Sequence, residues 1–170
     1  DGVLVAAASE ERFTRIKHDP DFPTQAIKFC LGVAGIAIDE VDHLGFYDKP
    51  MLKLERILLS HLQSFPNSKE QFLRAIPSWM TQKLPIRKVV SQELGWRRKP
   101  VLFAEHHVSH GASTFLCSPF DEAAILTVDG VGEWATATQG VGRGNSLEIL
   151  REIRFPHSLG LLYSAVTGYL

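Results

Sequence analysis

Val101-Leu102-Phe103-Ala104-Glu105-His106-His107-Val108-Ser109-His110-Gly111-Ala112-Ser113 is the stretch that decides how this chain is read. Pro100 opens a short apolar strand, a polar cluster follows at once, and small residues then favour a helix. Strand, polar cluster and helix in that order place ligands at the carboxyl end of a sheet, the arrangement of an α/β fold. His106 and His110 are four apart, so a helix puts both imidazoles on one face, within reach of one ion. His107 and His110, three apart, are the competing pair. A helix starting near His106 disfavours imidazolium through its dipole, and neutral imidazole is the form that binds metal. The other reading is three histidines hydrogen-bonding within a polar loop. A zincin is excluded, because HExxH needs glutamate where His107 stands.

Downstream, Ala123 to Val128 reads as a strand ending in Asp129-Gly130. Asp129 is the candidate third ligand; a turn-forming Asp-Gly is the alternative. Two histidines and one carboxylate with open positions suit Fe(II) or Mn(II) better than structural zinc. Gly130-Val131-Gly132-Glu133 resembles a phosphate cradle in which Gly130 and Gly132 expose backbone N–H groups, though the Walker lysine and GxGxxG spacing are lacking. Trp134–Gln139 and Leu147–Phe155 alternate as strands, with Gly140, Gly142 and Gly144 expected to make the turn between them. Pro156 ends the last strand. Ser158 and Gly160 then open a helix whose N-terminus is either an anion site or simply capped by Ser158. Its apolar face, around Leu161, Leu162, Val166 and Leu170, is expected to lie exposed or against another copy.

Upstream, Val3 to Ala8 reads as a buried strand, and Glu10 to Arg15 as a second strand or turn. Arg12, Arg15, Lys17 and His18 form a basic cluster, either a solvated strand end or a phosphate contact. After Pro20 and Pro23, Thr24 is placed to cap a helix through Gly32 with Ala26, Ile27, Cys30 and Leu31 on one face. Asp42 to Tyr47 reads as a strand. Residues 50–94 read as mostly helical, an insertion divided by Pro66, Pro77 and Pro85. The succession of strand, Arg-containing extended residues, proline break and amphipathic helix occurs at both ends of the chain, which suggests a duplication.

The 170 residues are 45% hydrophobic, enough for a core, and a net charge of −1 with 22% charged residues exerts no global pull on nucleic acid or an anionic membrane. Arg97-Arg98-Lys99 reads as a solvated loop. Cys30 and Cys117 are expected to be buried free thiols, which suits a reducing cytoplasm. No apolar run approaches the ~18 residues of a membrane span. Asp1-Gly2 reads as half of a hairpin turn and Thr167–Leu170 as the middle of a helix, so both ends are expected to be cuts in a longer chain.

Taken together, SEERFTRIKHD, FYDKP, EHHVSHGAS, LTVDGVGEWAT and IRFPHSLGLLYSA resemble the carbamoyltransferase family that includes nodulation-factor, cephalosporin and aminoglycoside O-carbamoyltransferases. The resemblance implies an ASKHA-type (actin, sugar-kinase and Hsp70) α/β fold of duplicated half-domains. Here these would be residues 1–118, lacking a first strand and carrying the insertion, and 119–170, the start of the second half. It implies a C-terminal YrdC-like domain that makes carbamoyladenylate from carbamoyl phosphate and ATP. The ASKHA-type part, with a divalent metal, would transfer the carbamoyl group to a hydroxyl of a small molecule. His106, His110 and Asp129 match the family's metal ligands. His107 and Glu133 are the base candidates; Gly130, Gly132, Ser158, Gly160, Arg12 and Lys17 are the nucleotide or phosphate candidates. Two other readings stand beside it: a threonylcarbamoyl transferase acting on tRNA, and a module that binds metal or nucleotide and transfers nothing.

Overall fold

Proline and glycine punctuation sets the element order. The computed structural model describes residues 2–78, 84–97 and 99–170. Its elements are α1 (Glu11–Thr14), α2 (Thr24–Ala34), β1 (Leu44–Phe46), α3 (Pro50–Gln63), α4 (Lys69–Ser78), α5 (Ile86–Leu94), β2 (Val101–Phe103), α6 (His106–Phe115), β3 (Glu122–Val128), β4 (Ala135–Arg143), β5 (Ser146–Arg154) and α7 (Leu159–Tyr169), with a 3-10 turn at Ile38–Glu40. The fold is α/β. Asp1 of the expected turn, Arg98 of the basic cluster and residues 79–83 of the helical stretch lie outside the described residues. Among the described residues, no helix is long and apolar enough to cross a membrane.

The chain forms two compact units, residues 1–44 with 85–102 and residues 45–84 with 103–170. In the first, Ala26, Val90, Trp96 and Val101 are buried. Thr24 is the first residue inside α2, not its cap. The Glu10 carboxylate takes the capping role from 15 residues away, accepting the Gln25 and Ala26 N–H groups at 3.1 and 2.8 Å. One expectation is corrected here. Val3–Ala8 is neither strand nor buried: Val3, Leu4 and Val5 are all more than 60% exposed. Apolar residues become a strand only where a sheet edge takes up their N–H and C=O groups, and no described strand pairs with them. Of the two readings of Glu10 to Arg15, strand or turn, the chain takes the turn: Glu11–Thr14 is a single helical turn, and the left-handed Arg15 ends it.

In the second unit, β3, β4 and β5 form an antiparallel meander. Along β3 the alternation puts Ile125 and Thr127 inward and leaves Leu126 and Val128 exposed. Helix α6 lies against that inner face. A Cβ on Gly111 would meet Leu147 at 3.0 Å and Ile125 at 3.3 Å. The glycines assigned to the β4–β5 turn are corrected: Gly140 and Gly142 lie inside β4, and only Gly144, at φ +54°, makes the turn. A Cβ on Gly142 would strike the Phe115 ring at 2.5 Å, so this glycine is what lets α6 sit down on the sheet. No residue of α7 is buried; Leu161, Leu162, Val166 and Leu170 are all exposed. Both cysteines are free, but Cys30 is half-buried and Cys117 exposed, so neither is the buried thiol expected from its apolar neighbours.

Candidate metal centre

The first turn of α6 is fixed by a residue far along the chain. Glu133 is 6% exposed; both its oxygens accept the His106 N–H at 3.0 Å, and one also accepts the Lys49 N–H at 2.8 Å. These bonds satisfy amide groups that a helix start leaves without partners. The loop carrying Glu133 comes this close because of Gly132, where a Cβ would lie 3.1 Å from both His106 and His107.

Within that frame His106 and His110 share one face of α6, and Asp129 meets them from the end of β3. His106 Nε2 lies 2.7 Å from Asp129 Oδ2 and 3.1 Å from His110 Nε2, and His110 Nε2 lies 3.8 Å from Asp129 Oδ2. One ligand atom from each residue falls within 4.8 Å of the other two. Ligands about 2.0–2.2 Å from one ion stand roughly 3.0–3.5 Å apart in octahedral or tetrahedral geometry. The observed separations bracket that range, and the donor set of two imidazoles and a carboxylate fits a divalent ion.

Asp48, to which the sequence alone assigns no role, stands behind His106. It is 5% exposed, and its Oδ2 accepts from Lys53 Nζ at 2.7 Å. Burial pushes the Asp48 carboxyl up, but the His106 ring and the Lys53 ammonium together outweigh it and hold it at about 2. Asp48 is the main reason the His106 imidazole is raised above its ordinary range; burial opposes it and Asp129 adds to it. Burial also pushes Asp129 up, yet the Gly130 N–H and then His106 bring it below the usual carboxylate range.

His107 points the opposite way, into the sheet. It is 3% exposed, with Nδ1 2.6 Å from Thr127 Oγ1 and Nε2 2.9 Å from the Ala135 carbonyl oxygen. Burial chiefly lowers its pKa. Two of the candidate phosphate amides have partners within the chain: Gly130 N–H donates to Asp129 Oδ1 at 2.6 Å and Gly132 N–H to Ala135 O at 2.9 Å. Ser158 caps α7, its Oγ accepting the Leu161 N–H and donating to the Gly130 carbonyl at 2.7 Å. Gly160 packs on the backbone of Asp129, where a Cβ would overlap the carbonyl carbon at 2.5 Å. Ser158 and Gly160 thus dock α7 on the turn that presents Asp129. Arg12 and Lys17 are exposed residues of the first unit, and the triad belongs to the second.

A family model described as Carbamoyltransferase N-terminus matches residues 1–170. The chain belongs to the carbamoyltransferase family. It is 53% identical over 176 residues to an uncharacterized protein of Synechocystis and 35% identical over 175 residues to the nodulation protein NolNO of Sinorhizobium fredii. An uncharacterized protein of Methanocaldococcus jannaschii is 26% identical over 167 residues. These alignments cover 99%, 100% and 98% of this chain but 29%, 24% and 26% of the relatives, so the chain spans about a quarter of their length.

Proposed function

We propose that the chain is the metal-holding part of an O-carbamoyltransferase that moves a carbamoyl group from carbamoyladenylate, made from carbamoyl phosphate and ATP, to a hydroxyl of a small-molecule acceptor. The observation that carries this is the convergence of His106, His110 and Asp129 at ligand spacing in a member of the carbamoyltransferase family. In this reading the domain is ASKHA-type, with residues 1–118 and 119–170 belonging to successive half-domains. A YrdC-like domain of the same protein supplies the carbamoyladenylate, in the cytoplasm.

His106, His110 and Asp129 would hold the ion, Fe(II) or Mn(II). Bound there, it supplies Lewis acidity toward a phosphate oxygen and so favours charge on the leaving nucleotide. The chain's own residues contribute position. Glu133 fixes the backbone of His106, Gly132 admits the loop that carries Glu133, and Ser158 with Gly160 brackets the Asp129 turn. His107 and Glu133 would each have to release a present partner before taking a proton from the acceptor hydroxyl. Arg12 and Lys17 are exposed cations available to phosphate oxygens.

The test is mass spectrometry of the full-length protein incubated with carbamoyl phosphate, ATP and a panel of hydroxyl acceptors. A carbamoylated small molecule supports the reading. Threonylcarbamoyl adenosine on tRNA would move it to the tRNA-modifying class. Metal or nucleotide binding without any transferred carbamoyl group would make the chain a binding module.

A further inference from the structure

Among the described residues, four buried side-chain atoms have no hydrogen-bond partner: Asp48 Oδ1, His106 Nδ1, Arg56 Nε and Trp96 Nε1. The first two face each other at 3.7 Å. An unmatched buried acceptor and an unmatched buried ring nitrogen cost free energy apart and satisfy each other together. Closing the gap by about 0.8 Å gives an ordinary N–H···O bond.

We propose that Asp48 is a positioning residue for the metal centre: its Oδ1 takes the Nδ1–H of His106 and so presents the Nε2 lone pair toward His110 and Asp129. The inference rests on the metal reading above and goes beyond it by assigning the tautomer and orientation of one ligand. The opposite tautomer would put the proton on Nε2, facing Asp129, and aim the Nδ1 lone pair at the Asp48 carboxylate. Lone pair against carboxylate in a buried site is unfavourable, and a proton on Nε2 blocks coordination. With the proton on Nδ1 and a cation between Nε2 and Asp129, both demands are met. Carboxylates that hold the far nitrogen of a ligating histidine raise its basicity and fix its ring.

The surroundings of Asp48 suit this role. Lys53 Nζ occupies Oδ2 at 2.7 Å, leaving Oδ1 for His106. Arg56, 8% exposed, has its guanidinium 5.3 Å from the centre of the Phe155 ring, and its charge acts on Asp48. A half-buried lysine and a buried arginine around one carboxylate keep it anionic and fixed. Such an arrangement explains why α3 turns Lys53 and Arg56 inward while Leu52, Leu59 and Leu62 stay exposed.

The test uses the full-length protein, stripped of metal, with Mn(II) as probe in a competition titration against a chelator. Asp48→Asn should weaken Mn(II) binding about 10–100-fold; it also leaves Lys53 and Arg56 without their carboxylate, so the metal-free melting temperature should fall too, and binding is read well below it. Lys53→Met, which frees the second oxygen of Asp48 without removing it, should weaken binding by a smaller factor. This variant also decides the matter if Asp48→Asn does not fold. Wild-type affinity in the folded Asp48→Asn protein, or in Lys53→Met where it alone folds, overturns the proposal. His110→Ala separates the two levels. Binding lost there but intact in Asp48→Asn refutes only the positioning role, and binding intact in His110→Ala refutes the triad itself.

Discussion

The two faces of α6 are one residue apart in sequence and opposite in chemistry. His106 and His110 look toward Asp129, with side-chain exposures of 13% and 52%. His107, Gly111 and Phe115 look into the sheet and are buried. On the first face, polar atoms converge at distances that leave a common point between them. On the second, every contact is closed: a histidine satisfied at both nitrogens, a glycine against Leu147, a phenylalanine against Gly142. Histidine therefore serves as a prospective ligand or as a packed polar core residue, according to which side of the helix carries it.

The largest expected effect separates those faces directly. Under the proposed mechanism, His110→Ala in the full-length protein removes a ligand and should cut carbamoyl transfer by at least ~10²-fold, each ~1.4 kcal/mol being tenfold in rate. Formation of carbamoyladenylate in the other domain should stay nearly intact, and metal content should fall. His107→Ala should keep its metal. It should instead lose about 2–3 kcal/mol of stability, because a buried side chain goes and Thr127 Oγ1 and the Ala135 carbonyl each lose one hydrogen bond. Metal analysis, both partial reactions and thermal melting of the two variants check the pair. Metal lost equally in both would erase the distinction between the faces.

Gly142→Ala probes the inner face alone. The added methyl would overlap the Phe115 ring, so α6 must shift or the strand must bend, at a cost of about 1–3 kcal/mol. Melting should show the loss. Mn(II) affinity should change much less than in His110→Ala, because Phe115 lies at the far end of α6 from His106. An unchanged melting temperature would mean that α6 does not depend on that close contact.

Much of the inner architecture could be read before any coordinates. The apolar run Ala123–Val128, the alternation in Trp134–Gln139 and Leu147–Phe155, the histidine spacing and the Asp-Gly strand end all carry local signals, and each forms the element expected of it. What escaped was non-local. Val3–Ala8 has a strand's composition, and nothing in six residues reveals whether a sheet edge will receive them. Glu10 capping α2, Glu133 capping α6 and Asp48 backing His106 depend on separations of 15 to 58 residues. Helix α3 misleads the amphipathic rule outright, because a buried carboxylate draws Lys53 inward and Arg56 joins it there. The one local hint was the charged FYDKP segment, which the family resemblance included without assigning Asp48 a role.

The smallest expected effect is a pH profile, and it sharpens the same comparison. In the metal-free protein His106 is raised above the ordinary histidine value of about 6.5, chiefly by Asp48, and His107 is lowered, chiefly by burial. The raised group binds its proton more tightly folded than unfolded. Its contribution is full below about 6.5 and is lost as pH rises through the folded value. The lowered group has the opposite sign: its contribution is full above about 6.5 and declines as pH falls from there toward the folded value. Stability of the metal-free protein should therefore crest near pH 6.5, with a shallow loss on each side. The carboxylate loss lies further down, since Asp48 keeps its contribution until pH falls below about 4 toward its folded value of about 2. Melting temperatures of wild type, His106→Gln and His107→Gln across pH 5 to 8.5 check this. His106→Gln should flatten the alkaline limb and His107→Gln the acid limb. Saturating Mn(II) should also flatten the alkaline limb, because a coordinated His106 is already neutral and has no proton that titrates in this range. Limbs that both persist in both variants would show that the two histidines do not titrate as their opposite surroundings require.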